Sequence, residues 1–217
     1  MIDLYTRPDP EGQKVQIMLE ECGLAYAIHL LNPSPDHELP ARYLSICADQ
    51  KAPAIVDHDS IDGRPLAVSQ SLAILIYLSG KTGRFLPKAD RDRFKMLEWL
   101  SWAASPGMRA SSDTLNETVT PDDPLLAVLD TQLGRTRAFI AGRQYTAADI
   151  SIIADCLAIS SEPAAFAAFP NLQRWFEAVN SRPAVRRALA TMNDGERRAR
   201  ATDHLELRLR EVPLETR

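Results

Sequence analysis

Every strand-like segment of this 217-residue sequence falls before residue 80, and the apolar patterns beyond it are helical. That division restricts the chain to a small sheet-containing unit followed by an all-helical one. Met1 to Tyr5 has the apolar character of a short strand, which Pro8 and Pro10 bring to an end. Val15, Met18, Leu19 and Cys22 then share one face of a helix, and Gly23 follows at a natural C-terminal cap. Ala25 to Leu31 reads as a second strand, Asn32 to Pro40 as a proline-rich loop and Ala41 to Ile46 as a short helix. Ala54 to Asp57 and Pro65 to Val68 form a hairpin around Asp62-Gly63, and an apolar helix follows over Leu72 to Ser79. The order β-α-β-(α)-β-β-α predicts a mixed sheet covered by helices, that is, an α/β thioredoxin-like domain over residues 1–80.

Residues 81–89 are turn-rich and read as the linker to an all-α domain over 90–217. Arg91 to Ala104 is predicted helical, with Phe94, Leu97 and Trp102 among its apolar positions. Pro124 suits the first turn of a helix running to about Ile140. Thr146 and Asp149 resemble a capping box opening the helix Ile150 to Ile159, with Tyr145 and Ile150 as its staple. Leu172, Trp175, Phe176 and Val179 mark a last helix ending near Ser181, before Arg182-Pro183.

Hydrophobic residues at 45%, charged residues at 25% and a net charge of −4 fit a globular protein and give no basic surface for nucleic acid. Arg197, Arg198 and Arg200, with the alternating charges of His204 to Glu211, read as a solvated helix or tail. No apolar run reaches the roughly 18–20 residues of a membrane span, and no secretory leader is read at the start. Cys22, Cys47 and Cys156 lack CxxC or metal-ligand spacing, as do the four histidines. The expectation is reduced thiols in a cytoplasmic protein without a metal.

Four segments in order carry a family resemblance: Met1-Ile2-Asp3-Leu4-Tyr5 with Leu19-Glu20-Glu21-Cys22-Gly23; Ala52-Pro53-Ala54-Ile55-Val56-Asp57; Ser69-Gln70-Ser71-Leu72; and Tyr145-Thr146-Ala147-Ala148-Asp149-Ile150. Together they resemble the glutathione transferases over nearly the whole chain. Leu4-Tyr5, Pro8, Gly12-Gln13-Lys14 and Trp99 with Trp102 look most like the bacterial Nu class and its Ure2p-like relatives. The resemblance implies a cis bond before Pro53 and a backbone pairing of Ala52 with the cysteine of glutathione. It also puts the γ-glutamyl carboxylate on Ser71, with Gln70 beside it, at a helix N-terminus. The alternative is that Ser69 or Ser71 simply caps that helix. Lys51 either pairs with the glycyl carboxylate or is solvated. Trp99 is a candidate lining of the second-substrate cleft and Trp102 the better core candidate, because the two, three apart, are not expected to share one narrow helical face. A homodimer is implied too.

The activation site departs from the pattern. Asp9 stands where the related pattern has threonine, Glu11 where it has asparagine, and Glu38 where glutamine is frequent. A glutathione thiol needs a donor or positive potential to become thiolate, and an ionised carboxylate only accepts. Three explanations stand. Asp9 and Glu11 are solvated and cap the first helix while Thr6, Tyr5 or backbone N–H groups supply the donor. The acidic site suits a cationic or uncharged ligand. Or the fold is kept without transferase activity. Two functions follow: glutathione-dependent conjugation of an electrophile or reduction of a disulfide, and, alternatively, a non-catalytic binding protein that takes glutathione poorly or not at all.

Overall fold

The computed structural model describes residues 1–31, 41–47, 51–105, 120–161 and 163–191. Strand β1 (Ile2–Thr6) leads through α1 (Pro10–Cys22) to β2 (Tyr26–Leu30), which lies parallel to it. Helix α2 (Ala41–Ile46) precedes the antiparallel pair β3 (Ala54–Asp57) and β4 (Leu66–Ser69), and α3 (Ser71–Thr82) closes this half. The strand order is β2-β1-β3-β4, with β1 antiparallel to β3. Alternation along β1 and β3 sorts side chains to two faces. Ile2, Leu4 and Ile55 join the main core with residues of α1 and α3, whereas Tyr5, Ala54 and Val56 face Tyr43 of α2. The sequence-predicted order is the observed one. Strand β4 begins one residue later than expected, because Pro65 has no N–H for the ladder. Helix α3 also runs on to Thr82, into the stretch expected as linker.

The second half is helical: α4 (Asp90–Ala103), α5 (Pro124–Thr136), α6 (Ala147–Ile159), a 3-10 turn (Pro163–Phe166), α7 (Pro170–Asn180) and a further helix over 183–191. Helix α6 is buried from Ala147 through Cys156 and packs on α1, α3, α4 and α7, which makes it the axis of the molecule. Three expectations are corrected here. Phe94 is 65% exposed; the inner face of α4 is Met96, Leu100 and Ala103. Trp99 and Trp102 are both half-buried and meet edge to face, ring centres 5.2 Å apart, since residues three apart are neighbours on a helix surface. Helix α5 stops at Thr136, where Arg137 turns left-handed and donates its N–H to the Leu133 carbonyl; Ile140 is buried in the turn bridged by Phe139 and Gly142.

Asp57 ties the sheet to α3. Its carboxylate accepts from the Tyr77 hydroxyl at 2.7 Å, pairs with Lys81 at 2.6 Å and accepts from the Asp59 N–H at 3.0 Å. Burial pushes its pKa up, but Lys81, Tyr77 and the Asp59 N–H outweigh that and hold it below the ordinary value. A folded pKa below the unfolded one stabilises above the unfolded value, about 3.9, and the contribution is lost as pH falls through the folded value. The expected result is a thermal midpoint that drops on acidification from about pH 5. In Asp57→Asn that dependence should flatten, with a lower midpoint already at neutral pH. Scanning calorimetry across the acid range checks both.

Candidate functional site

Strand register gathers the sequence-predicted residues at one end of the sheet. Tyr5 pairs with Ala54, and Ala54 with Ser69, so the exit of β1, the entry of β3 and the exit of β4 lie side by side. The Ala52-Pro53 bond at the entry of β3 is cis, with Pro53 buried and Ala52 half-buried. The Lys51 side chain is exposed, while its carbonyl accepts from the Tyr43 hydroxyl at 2.5 Å and the Cys47 thiol at 3.3 Å. This loop is therefore held from α2.

At the exit of β4 the chain turns sharply into α3. Gln70 is exposed and takes φ 72° and ψ 119°, a conformation that costs a non-glycine residue about 1–3 kcal/mol. It is Gln70 that occupies the N-cap, without a side-chain cap bond, so neither Ser69 nor Ser71 caps α3. The Ser71 hydroxyl, on a side chain only 3% exposed, donates instead to the Glu11 carboxylate.

The segment from β1 to α1 is closely packed. Asp9 is the N-cap of α1 and accepts from the Gly12 N–H at 2.8 Å. It is half-buried rather than solvated, and burial, opposed by the Gly12 N–H, raises its pKa. Thr6 is fully buried and its hydroxyl donates to the neighbouring Arg7 carbonyl at 3.1 Å. A Cβ on Gly12 would collide with both that hydroxyl and that carbonyl, which is the reason for glycine here. Tyr5, 4% exposed, stacks on His29 with centres 4.7 Å apart and touches Tyr43.

One residue quoted above only for the resemblance turns out to sit beside the candidate site. Lys14, on α1, is 1% exposed; its ammonium lies 2.6 Å from Glu11 and 2.9 Å from Asp155 of α6. Burial works against its charge, but Asp155 and Glu11 prevail and raise its pKa. Helical periodicity marks Lys14 only as a polar neighbour of Val15; nothing local announces a partner on α6. The two halves are joined again by Arg182, whose guanidinium makes two bonds to Glu21, at 2.5 and 2.9 Å, and lies 3.9 Å over the Tyr145 ring. Glu38 and the basic stretch from Arg197 lie outside the described residues. A concavity of about 440 Å³ lined by Phe85 to Ala89, Asp92 and Gln144 to Thr146 includes none of the sequence-predicted site residues.

The glutathione S-transferase N-terminal domain model matches residues 10–81 and the C-terminal domain model residues 98–183. The disulfide-bond oxidoreductase YfcG of Escherichia coli is 32% identical, over 92% of this chain and 99% of its own. The chain belongs to the glutathione S-transferase family. Among solved members of that family, one from Pseudomonas fluorescens with two glutathiones bound has TM-score 0.73 and 32% identity, covering 87% of this chain and 92% of its own. A glutathione transferase from Pseudomonas putida, holding one glutathione disulfide per subunit, has TM-score 0.73 and 30% identity, covering 87% and 90%. Ala52, Pro53, Gln70 and Ser71 all fall inside the N-terminal match, as do Glu11 and Lys14.

Proposed function

We propose that this member of the glutathione S-transferase family binds glutathione along Ala52-Pro53 and Gln70-Ser71 and uses it to reduce disulfides. The observation that carries the reading is the buried Ser71 hydroxyl at the start of α3, already engaged with a carboxylate beside the first turn of α1. Ser71 takes the γ-glutamyl carboxylate, with Gln70 beside it. The backbone of Ala52, before Pro53, pairs with the cysteinyl unit, and Lys51 reaches toward the glycyl end. Trp99 borders the second-substrate side. The likeness to an oxidoreductase, and to structures holding two glutathiones or glutathione disulfide, supports disulfide exchange over conjugation of an electrophile.

The chemistry needs no cysteine of this chain. The sequence has none between β1 and α1, and Cys47 and Cys156 are buried. A glutathione thiolate attacks one sulfur of the substrate disulfide and forms a mixed disulfide, and the other half leaves as a thiolate that takes up a proton. A second glutathione thiolate attacks the mixed disulfide, giving glutathione disulfide and the second thiol. The N-terminus of α1 supplies positive potential for the thiolate. With the Thr6 hydroxyl committed to Arg7 and the Tyr5 ring packed between aromatics, backbone N–H groups at this turn are the donors we favour.

Reduction of 2-hydroxyethyl disulfide under saturating glutathione tests this. Activity above background is expected, and Ser71→Ala should lower kcat/KM about tenfold, the value of one hydrogen bond to a charged group. Background rates for both that disulfide and 1-chloro-2,4-dinitrobenzene would favour the second reading, a non-catalytic binding protein. The Glu11 carboxylate on Ser71 is the observation on that side.

We place the domain boundary in residues 81–89 and the protein in the cytoplasm; among the described residues no helix is long and apolar enough to cross a membrane. A homodimer would cover Leu66, Ile76 and Phe94, which stand 42%, 40% and 65% exposed.

A further inference from the structure

The Ser71 hydroxyl is taken by a carboxylate of the protein itself. Glu11 accepts from it through one oxygen, while its other oxygen lies 2.6 Å from the Lys14 ammonium. Lys14 is in turn fixed by Asp155 at 2.9 Å. The Glu11 carboxylate is thus clamped from α1 and, through Lys14, from α6, and it rests at the start of α3 where a ligand carboxylate would rest.

We propose that Glu11 is a specificity-determining residue that fills the carboxylate seat of the glutathione site from within the chain, so that a γ-glutamyl thiol binds only by displacing it. The inference rests on the reading of Ser71 as the γ-glutamyl contact. A serine hydroxyl has one proton to donate, so two carboxylates cannot both receive it. A second carboxylate close to Glu11 also meets a like charge. The apparent dissociation constant of the ligand rises by the inverse of the fraction of molecules in which Glu11 has left. Departure is reversible, because Glu11 keeps Lys14 through its other oxygen and gives up only the Ser71 bond. A head group without a carboxylate at this point meets no such penalty, and one that presents an amide or ammonium donor finds an acceptor in Glu11. The site therefore discriminates by whether the head group presents a carboxylate at this point.

Calorimetric titration with reduced glutathione at neutral pH, on the full-length wild type, Glu11→Ala, Glu11→Gln and Glu11→Ala/Ser71→Ala, tests this. Lys14 retains Asp155 in every variant, and thermal unfolding confirms that each is folded. Glu11→Ala is expected to bind glutathione about tenfold tighter or more, corresponding to 90% occupancy of the seat. Glu11→Gln should gain less, since its amide oxygen still accepts from Ser71, and the double variant should lose the gain. Unchanged or weaker binding in both single variants, with the wild type still binding, would overturn the role of Glu11 and leave the glutathione reading intact. No binding by wild type or either single variant up to about 10 mM, an affinity of only ~3 kcal/mol, would overturn both.

Discussion

Asp149→Ala is expected to destabilise the protein by about 4 kcal/mol or more, a large part of the 5–15 kcal/mol that holds a domain folded. Asp149 is fully buried at the start of α6. One carboxylate oxygen accepts from the Ile140 N–H and the Trp175 indole N–H, each at 2.9 Å. The other accepts from the Thr146 N–H at 2.9 Å and its hydroxyl at 3.1 Å. Removing the side chain leaves these donors together without their acceptor, each worth about 1–3 kcal/mol of desolvation when unmatched. Burial raises the Asp149 pKa, and the same donors pull against that rise, so the carboxylate depends on them as they depend on it. Asp149→Asn retains an acceptor but turns an amide NH2 toward N–H donors, and should lose roughly half as much. Urea unfolding monitored by near-UV circular dichroism reports both the loss and the release of Trp175. A change under about 1 kcal/mol in the alanine variant would show that Asp149 is dispensable as the hub of this junction.

Lys14→Met is expected to cost about 3–5 kcal/mol, because it withdraws the cation facing two carboxylates while leaving them in place. Asp155 is 2% exposed and Glu11 sits at the rim of the same junction, so solvent compensates Asp155 poorly. Adding Asp155→Leu should recover most of the loss, since replacing both members of a buried pair by apolar groups is often neutral. A double-mutant cycle in denaturant then measures the coupling. The pH dependence has a definite sign. The folded pKa of Lys14 is raised, so its contribution is complete below the unfolded value, about 10.4, and fades as pH climbs through the folded one. Wild-type stability should therefore fall in strong alkali more steeply than that of the paired Lys14→Met/Asp155→Leu variant. Equal slopes would remove Lys14 as the cause.

These two positions mark how far the sequence is legible. The capping box is local: Thr146 and Asp149 stand three apart, a spacing that carries its own geometry. The bonds from Ile140 and Trp175 to the same carboxylate are not local, and no pattern around Asp149 points to them. On α4, Phe94, Leu97 and Trp102 are the apolar positions that stand out in the sequence, but the fully buried face is Met96, Leu100 and Ala103. Which stripe of a helix is buried depends on what α6 offers it, and small residues are as good at a close contact as large ones.

At the site, the motif around Ser71 and the cis proline was legible because both lie in short contiguous segments at strand ends. Asp9 as the N-cap of α1 was legible for the same reason, its bond to the Gly12 N–H spanning one turn. The sequence by itself determined the element order and the caps at Asp9 and Thr146, which rest on spacings of two to four residues, and four ordered segments carried the resemblance to the family. Tertiary structure alone decided that Glu11 lies on Ser71, that Lys14 is buried against Asp155, and that Arg182 grips Glu21. Each of these joins groups far apart in the chain, and a buried charge settles only where folding brings it an opposite charge or a donor.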